Sequence, residues 1–109
     1  MVIYFLREYQ NGDDFKIGRS GSVIERIGML PQVIDIERSF YVECHRRVAR
    51  WIEHLLHNLF KHDRFIHPIG GDGYTEWFRG GCFIEVKHFL VSHRDRLQCS
   101  ELKPITKLL

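Results

Sequence analysis

At 109 residues, with 44% hydrophobic and 28% charged positions, the chain is long enough for one compact domain and too short for two. Its 16 basic and 14 acidic residues leave a formal charge of +2, which permits contact with nucleic acid but requires any phosphate-binding surface to come from local clustering. The three cysteines, Cys44, Cys82 and Cys99, are odd in number and widely spaced, which excludes a disulfide framework; no apolar run approaches the roughly 20 residues of a membrane span and nothing at the N-terminus reads as a signal peptide, so a cytoplasmic protein with reduced thiols is expected.

The chain opens with Val2 to Arg7, a short bounded apolar run that reads as a buried strand. Asn11-Gly12-Asp13-Asp14 is turn chemistry, and Phe15 to Gly18 reads as the returning strand of a hairpin. Ser22 followed by Glu25 predicts a capping box and a helix, with Val23, Ile24, Ile27 and Leu30 at helical spacing and Pro31 ending it. Ile34, Ile36, Phe40 and Val42 alternate with polar positions, broken only at Arg38, and predict a third strand over 34–42. A second helix, about 44–61, carries a broad stripe of Val48, Trp51, Ile52, Leu55, Leu56, Leu59 and Phe60. The loop with Pro68 and Gly70-Gly71-Asp72-Gly73 reads as a flexible turn, since no Gly-Lys-Ser follows that would cradle a phosphate. The short apolar element Glu76-Trp77-Phe78 and a third helix over 82–97 complete the order β-β-α-β-α-α. The expectation is an α/β domain over 1–97, with a three-stranded antiparallel sheet flanked by helices, and a tail at 98–109 whose Leu102, Ile105, Leu108 and Leu109 dock on the domain or on a partner.

Five of these segments carry a resemblance. Ile3-Tyr4 on the first strand and Lys16-Ile17-Gly18 on the second resemble the paired signature of the GIY-YIG endonucleases. Arg26 lies eight residues after Gly18, where that family carries an arginine, and Glu53 and His57 form its Glu-x-x-x-His pattern. Glu76-Trp77-Phe78 is similar to the Glu-(Trp/Phe)-Phe element of the phage-type branch named after a T5 open reading frame. The resemblance spans about Val2 to Leu90. It departs from the family pattern at Val2, where a glycine is replaced, at Lys16, where the family name has tyrosine, and at Leu30, where many members carry histidine.

The resemblance implies a metal-dependent endonuclease that hydrolyses DNA through a single-metal site and leaves 5′-phosphate and 3′-hydroxyl ends. The residue types suit that chemistry. Arg26 offers a planar fork of donors for phosphate, and its place in the first turn of a helix adds the positive end of the helix dipole. Its bland reading is a surface arginine paired with Asp35 or Glu37. Glu53 is a single carboxylate of the kind that holds Mg²⁺ or Mn²⁺ when waters and phosphate complete the shell; its bland reading is an exposed pair with Arg46 or Arg50. Tyr4 is either the residue that orients or deprotonates the attacking water, with Lys16 or Arg26 lowering its pKa, or a packed core tyrosine. Lys16 stabilises a phenolate, binds phosphate, acts as a base, or is simply a solvated strand lysine. His57 binds phosphate, orders Glu53, or is solvated. Arg19 and Ser20, with the Arg46 and Arg50 cluster, are candidates for contacts to the DNA backbone. DNA is the expected partner, with no membrane, and specificity is expected from the domain itself, from a homodimer or from a separate DNA-targeting partner. The alternative is a non-catalytic nucleic-acid-binding module of the same fold.

Overall fold

The structure, a computed structural model, describes residues 1–10 and 13–109, so the predicted turn at Asn11-Gly12 lies outside the described residues. Strands β1 (Val2–Arg7) and β2 (Phe15–Ser20) form the opening hairpin, with Tyr4 opposite Gly18 and Leu6 opposite Lys16. The sequence reads β1 as an unbroken apolar run because both of its faces are covered: Ile3, Tyr4, Phe5 and Leu6 are all buried. The pleat sends alternate residues to opposite sides. Ile3 and Phe5 enter a large core with Ile52 and Leu56 of helix α2 (Arg46–Leu59) and Val86 and Leu90 of helix α3 (Phe83–Ser92). Tyr4 and Leu6 enter a smaller one with Val23 of helix α1 (Val23–Met29), Leu30 and Ile105.

Among the described residues the sheet has six strands, not three. Strand β3 (Phe40–Glu43) pairs with β1; β4 (Arg64–Phe65) and β5 (Trp77–Phe78) extend the β2 side; β6 (Lys103–Pro104) pairs with β3. The order is β4-β5-β2-β1-β3-β6, antiparallel throughout. The three added strands are two residues each, too short for alternation to reveal them. The predicted tail therefore contributes a strand, and its Ile105 is fully buried.

Other boundaries also differ. The third strand begins at Phe40, because Ile36–Arg38 forms a 3₁₀ turn and Ile34 makes only an isolated bridge to Glu8. Ser39 marks the change: its hydroxyl accepts from the Arg7 N–H at 3.0 Å and donates to the Asp35 carbonyl at 2.7 Å. Ser22 is the N-cap of α1, but its hydroxyl donates to the Glu25 carboxylate at 3.2 Å, so the predicted capping box does not form. The predicted third helix breaks at His93 into α3 and a short α4 (Arg94–Leu97), with the His93 ring hydrogen-bonded to the Phe89 carbonyl at 3.0 Å. On α2 the buried line is Ala49, Ile52 and Leu56, while Trp51 and Leu59, read as part of the core stripe, are 54% and 47% exposed. Among the described residues no helix is long and apolar enough to cross a membrane.

Candidate active site

Tyr4 from β1, Lys16 from β2, Arg26 from α1 and Glu53 from α2 line one cleft of about 210 Å³. Arg19 and the Asp72, Gly73 and Glu76 segment ahead of β5 complete its walls.

The hairpin register builds the floor. Tyr4 and Gly18 face each other across the strands, and a Cβ at Gly18 would overlap the Tyr4 phenol. Glycine here is what lets the ring lie over β2. Lys16 is a buried cation, 1% exposed. Its Nζ donates to Glu76 Oε2 at 2.6 Å and to the Gly73 carbonyl at 3.1 Å. Gly73 has φ of +67°, and a Cβ there would strike both Lys16 Nζ and Glu76 Oε2, so this approach also requires glycine. Lys16 is thus neither a solvated strand lysine nor a free phosphate ligand; it is seated on Glu76.

That seat changes the chemistry expected of Tyr4. Its phenol is pushed well above the usual tyrosine range, first by burial and then by the Glu76 carboxylate. Arg26 acts in the opposite direction but is outweighed, and Glu53 and Asp72 add to the rise. The net effect therefore runs opposite to the expected lowering, although Arg26 pulls in the expected direction: the phenol keeps its proton at neutral pH.

The remaining cleft charges are paired across the fold. Arg26 Nη1 meets Asp72 Oδ2, not Asp35 or Glu37. Arg19 Nε lies 3.5 Å from Glu53 Oε1, and the Glu53 side chain is only 13% exposed. The helix-dipole argument for Arg26 does not transfer, because α1 has only seven residues and Arg26 stands in its last turn. His57 does not line the cleft. Its Nε2 hydrogen-bonds the Ile17 carbonyl at 2.9 Å and its ring meets Phe78 edge-on at 5.1 Å, bracing α2 against the sheet. Burial holds its pKa below the usual histidine range, against the opposing Ile17 bond and the nearby Glu53 and Glu76, so the ring is neutral near pH 7.

Ser20 accepts from the Ser22 N–H at 2.9 Å and lines a shallow neighbouring hollow that shares Arg26 with the cleft. Arg46 and Arg50 are exposed on α2, seven and three residues before Glu53, on the helix edge that it occupies. Among the described residues no group of three or more His, Cys, Asp or Glu side chains is arranged to hold a metal.

Three cleft residues went unassigned from the sequence. Glu76 was noticed only as part of a short motif, although its position next to Trp77, the cross-strand partner of Lys16, is a usable signal. Asp72 and Gly73 lie in a glycine-rich loop that carries no periodicity.

The fold and cleft define a small α/β protein whose sheet presents a polar, ion-paired site built from both of its faces. A family model for the T5orf172 domain matches residues 1–98, and the chain belongs to this phage-associated, nucleic-acid-associated family. No curated protein and no solved structure matched the chain.

Proposed function

We propose that the chain is a metal-dependent endonuclease of the GIY-YIG type that hydrolyses DNA phosphodiester bonds in this cleft. The observation that carries the reading is the meeting of Tyr4, Lys16, Arg26 and Glu53, from four separate elements, in one polar cavity.

Glu53 is the residue that would hold Mg²⁺ or Mn²⁺. Its carboxylate is shielded and its one described charge contact, to Arg19, is a loose 3.5 Å. With no multi-ligand cluster among the described residues, it suits a hydrated cation carried on one carboxylate rather than a closed cage. Such a cation, when bound, polarises a phosphate oxygen as a Lewis acid.

Arg26 takes the scissile phosphate through its guanidinium fork and stabilises the charge that builds on the transferring oxygens. Tyr4 donates from its phenol and orients the attacking water. Glu76, on the same cleft wall, is the acceptor assigned to that water's proton, with the Lys16 ammonium holding the carboxylate in place. Arg19 on the cleft wall, with exposed Arg46 and Arg50 on α2, is assigned to the phosphates of the flanking strand.

The test is nicking of supercoiled plasmid with Mg²⁺ or Mn²⁺ by the parent chain and by Tyr4→Phe. Loss of one orienting hydrogen bond is expected to slow Tyr4→Phe by roughly tenfold, without moving the limbs of the pH–rate profile, because the phenol is not the group that titrates. A parent that shifts DNA in a gel but never nicks it makes the chain a non-catalytic binding module.

Arg26 is engaged with Asp72, and a phosphate would take Asp72's place on the guanidinium. Asp72→Asn is therefore expected to tighten DNA binding by roughly three- to fivefold, the scale of an exposed ion pair that no longer competes. Fluorescence anisotropy with a labelled duplex measures this, and the gain should vanish in an Arg26→Ala background.

A further inference from the structure

The hydrogen bonding around two of the three cysteines is independent of the cleft. Cys44, at the end of β3 and just before the N-cap of α2, faces Cys99 across an isolated antiparallel bridge. Gln98, with φ of +57°, turns the chain back after α4 and delivers Cys99 to that position.

Neither cysteine's backbone N–H points at the other. Cys44 N–H donates to the Met1 carbonyl at 3.0 Å, and Cys99 N–H donates to the Arg94 carbonyl at 3.3 Å. The bridge is instead closed by neighbours, with Ser100 N–H donating to the Glu43 carbonyl at 2.8 Å. This is the pattern of a non-hydrogen-bonded antiparallel pair. In such a pair the Cα atoms lie about 4.5 Å apart and the side chains approach each other, inside the roughly 4.4–6.8 Å window of a disulfide. Both residues are partly exposed, whereas Cys82 is buried at 3%.

We propose that Cys44 and Cys99 are a modification site that closes to a cross-strand disulfide when the chain meets a low-molecular-weight disulfide. One of the two thiolates attacks a sulfur of the small disulfide, forming a mixed disulfide and releasing one small thiol. The second cysteine thiolate then attacks the protein sulfur of that mixed disulfide and releases the other small thiol. Two protein thiols are oxidised, one small disulfide is reduced to two thiols, and the two cysteine protons end on the departing thiolates.

Burial raises both thiols above the usual cysteine range, so the thiolates are scarce and the exchange is slow without excess oxidant. The Cys82 thiol is pushed up to about 12 by burial and by nearby Asp63 and Glu85, which keeps it out of the exchange. The odd cysteine count thus resolves into one pair and one inert core residue. The cross-link would close the segment holding α2, β4, β5, α3 and α4 into a covalent loop, anchored one residue before the N-cap of α2.

The full chain is incubated, folded, with oxidised glutathione, and its intact mass and free thiols are measured after acid quench and denaturation. The expected product is a monomer lighter by two hydrogens, with one free thiol of the three and a Cys44–Cys99 peptide in the digest. Cys44→Ser and Cys99→Ser should each stop at a glutathione adduct on the surviving partner. A parent that stops at the adduct, keeps all three thiols, pairs through Cys82, or links only between chains overturns the proposal. DNA cleavage is not part of this readout, so the result stands whatever the plasmid assay gives.

Discussion

Glu53→Gln should abolish metal-dependent DNA cleavage while leaving DNA binding intact. The change keeps the length and planarity of the side chain and removes only its charge. Glu53 sits at the cleft edge of α2 with its side chain 13% exposed, and the other two cleft carboxylates, Asp72 and Glu76, are engaged by Arg26 and Lys16. Arg19 loses a loose partner but is itself 40% exposed and returns to water at little cost. Removing one well-placed electrostatic contributor from a site of this kind costs roughly 10²–10³ in rate. Single-turnover nicking with Mn²⁺ measures the loss, and a gel shift in Ca²⁺ or without metal measures binding. Wild-type cleavage by Glu53→Gln would remove Glu53 from the site, and with it the single-metal reading.

The largest stability effect is expected from Glu76→Ala. Lys16 is held by two acceptors, the Glu76 carboxylate and the Gly73 carbonyl, and its side chain is 2% exposed. Deleting the carboxylate leaves an ammonium inside the fold with one neutral acceptor. Breaking a buried pair from one side costs about 3–5 kcal/mol; with Glu76 itself 31% exposed, about 3 kcal/mol is expected. Lys16→Met should cost less, because Glu76 can turn to solvent. In the Glu76→Ala background Lys16→Met should restore most of the lost stability, since the stranded charge goes with it. Urea unfolding of the four proteins closes the cycle. Additive losses would mean that the two side chains are uncoupled.

Much of the fold was written in short patterns. Val2 to Arg7 stood out because a strand covered on both faces has no polar alternation to dilute it. The α2 stripe was visible because its apolar residues recur at helical spacing on one side, although its width misled: Trp51 and Leu59 satisfy that spacing and still face solvent. The strand expected over 34–42 failed because Ile34 and Ile36 match a period of two while the backbone turns through a 3₁₀ segment. The cleft residues Arg26 and Glu53 were legible only through the resemblance to the GIY-YIG pattern, at the places it sets relative to Gly18 and His57. Their partners were not. Arg26–Asp72, Arg19–Glu53 and Lys16–Glu76 join residues far apart in the chain, and no local pattern in one sequence encodes such a choice. The state of the Tyr4 phenol was hidden for the same reason, because burial and Glu76 outweigh Arg26, the cation that acts on it.

The two outermost strands leave little open sheet edge among the described residues. Each is only two residues long, one ending the sheet at Arg64–Phe65 and the other at Lys103–Pro104. An edge strand tempts another chain to add itself through unpaired backbone groups. Here one edge offers a brief stretch with a charged side chain, and the other contains a proline that lacks an N–H. A second copy or an unfolded neighbour finds too little backbone on either side to extend the sheet.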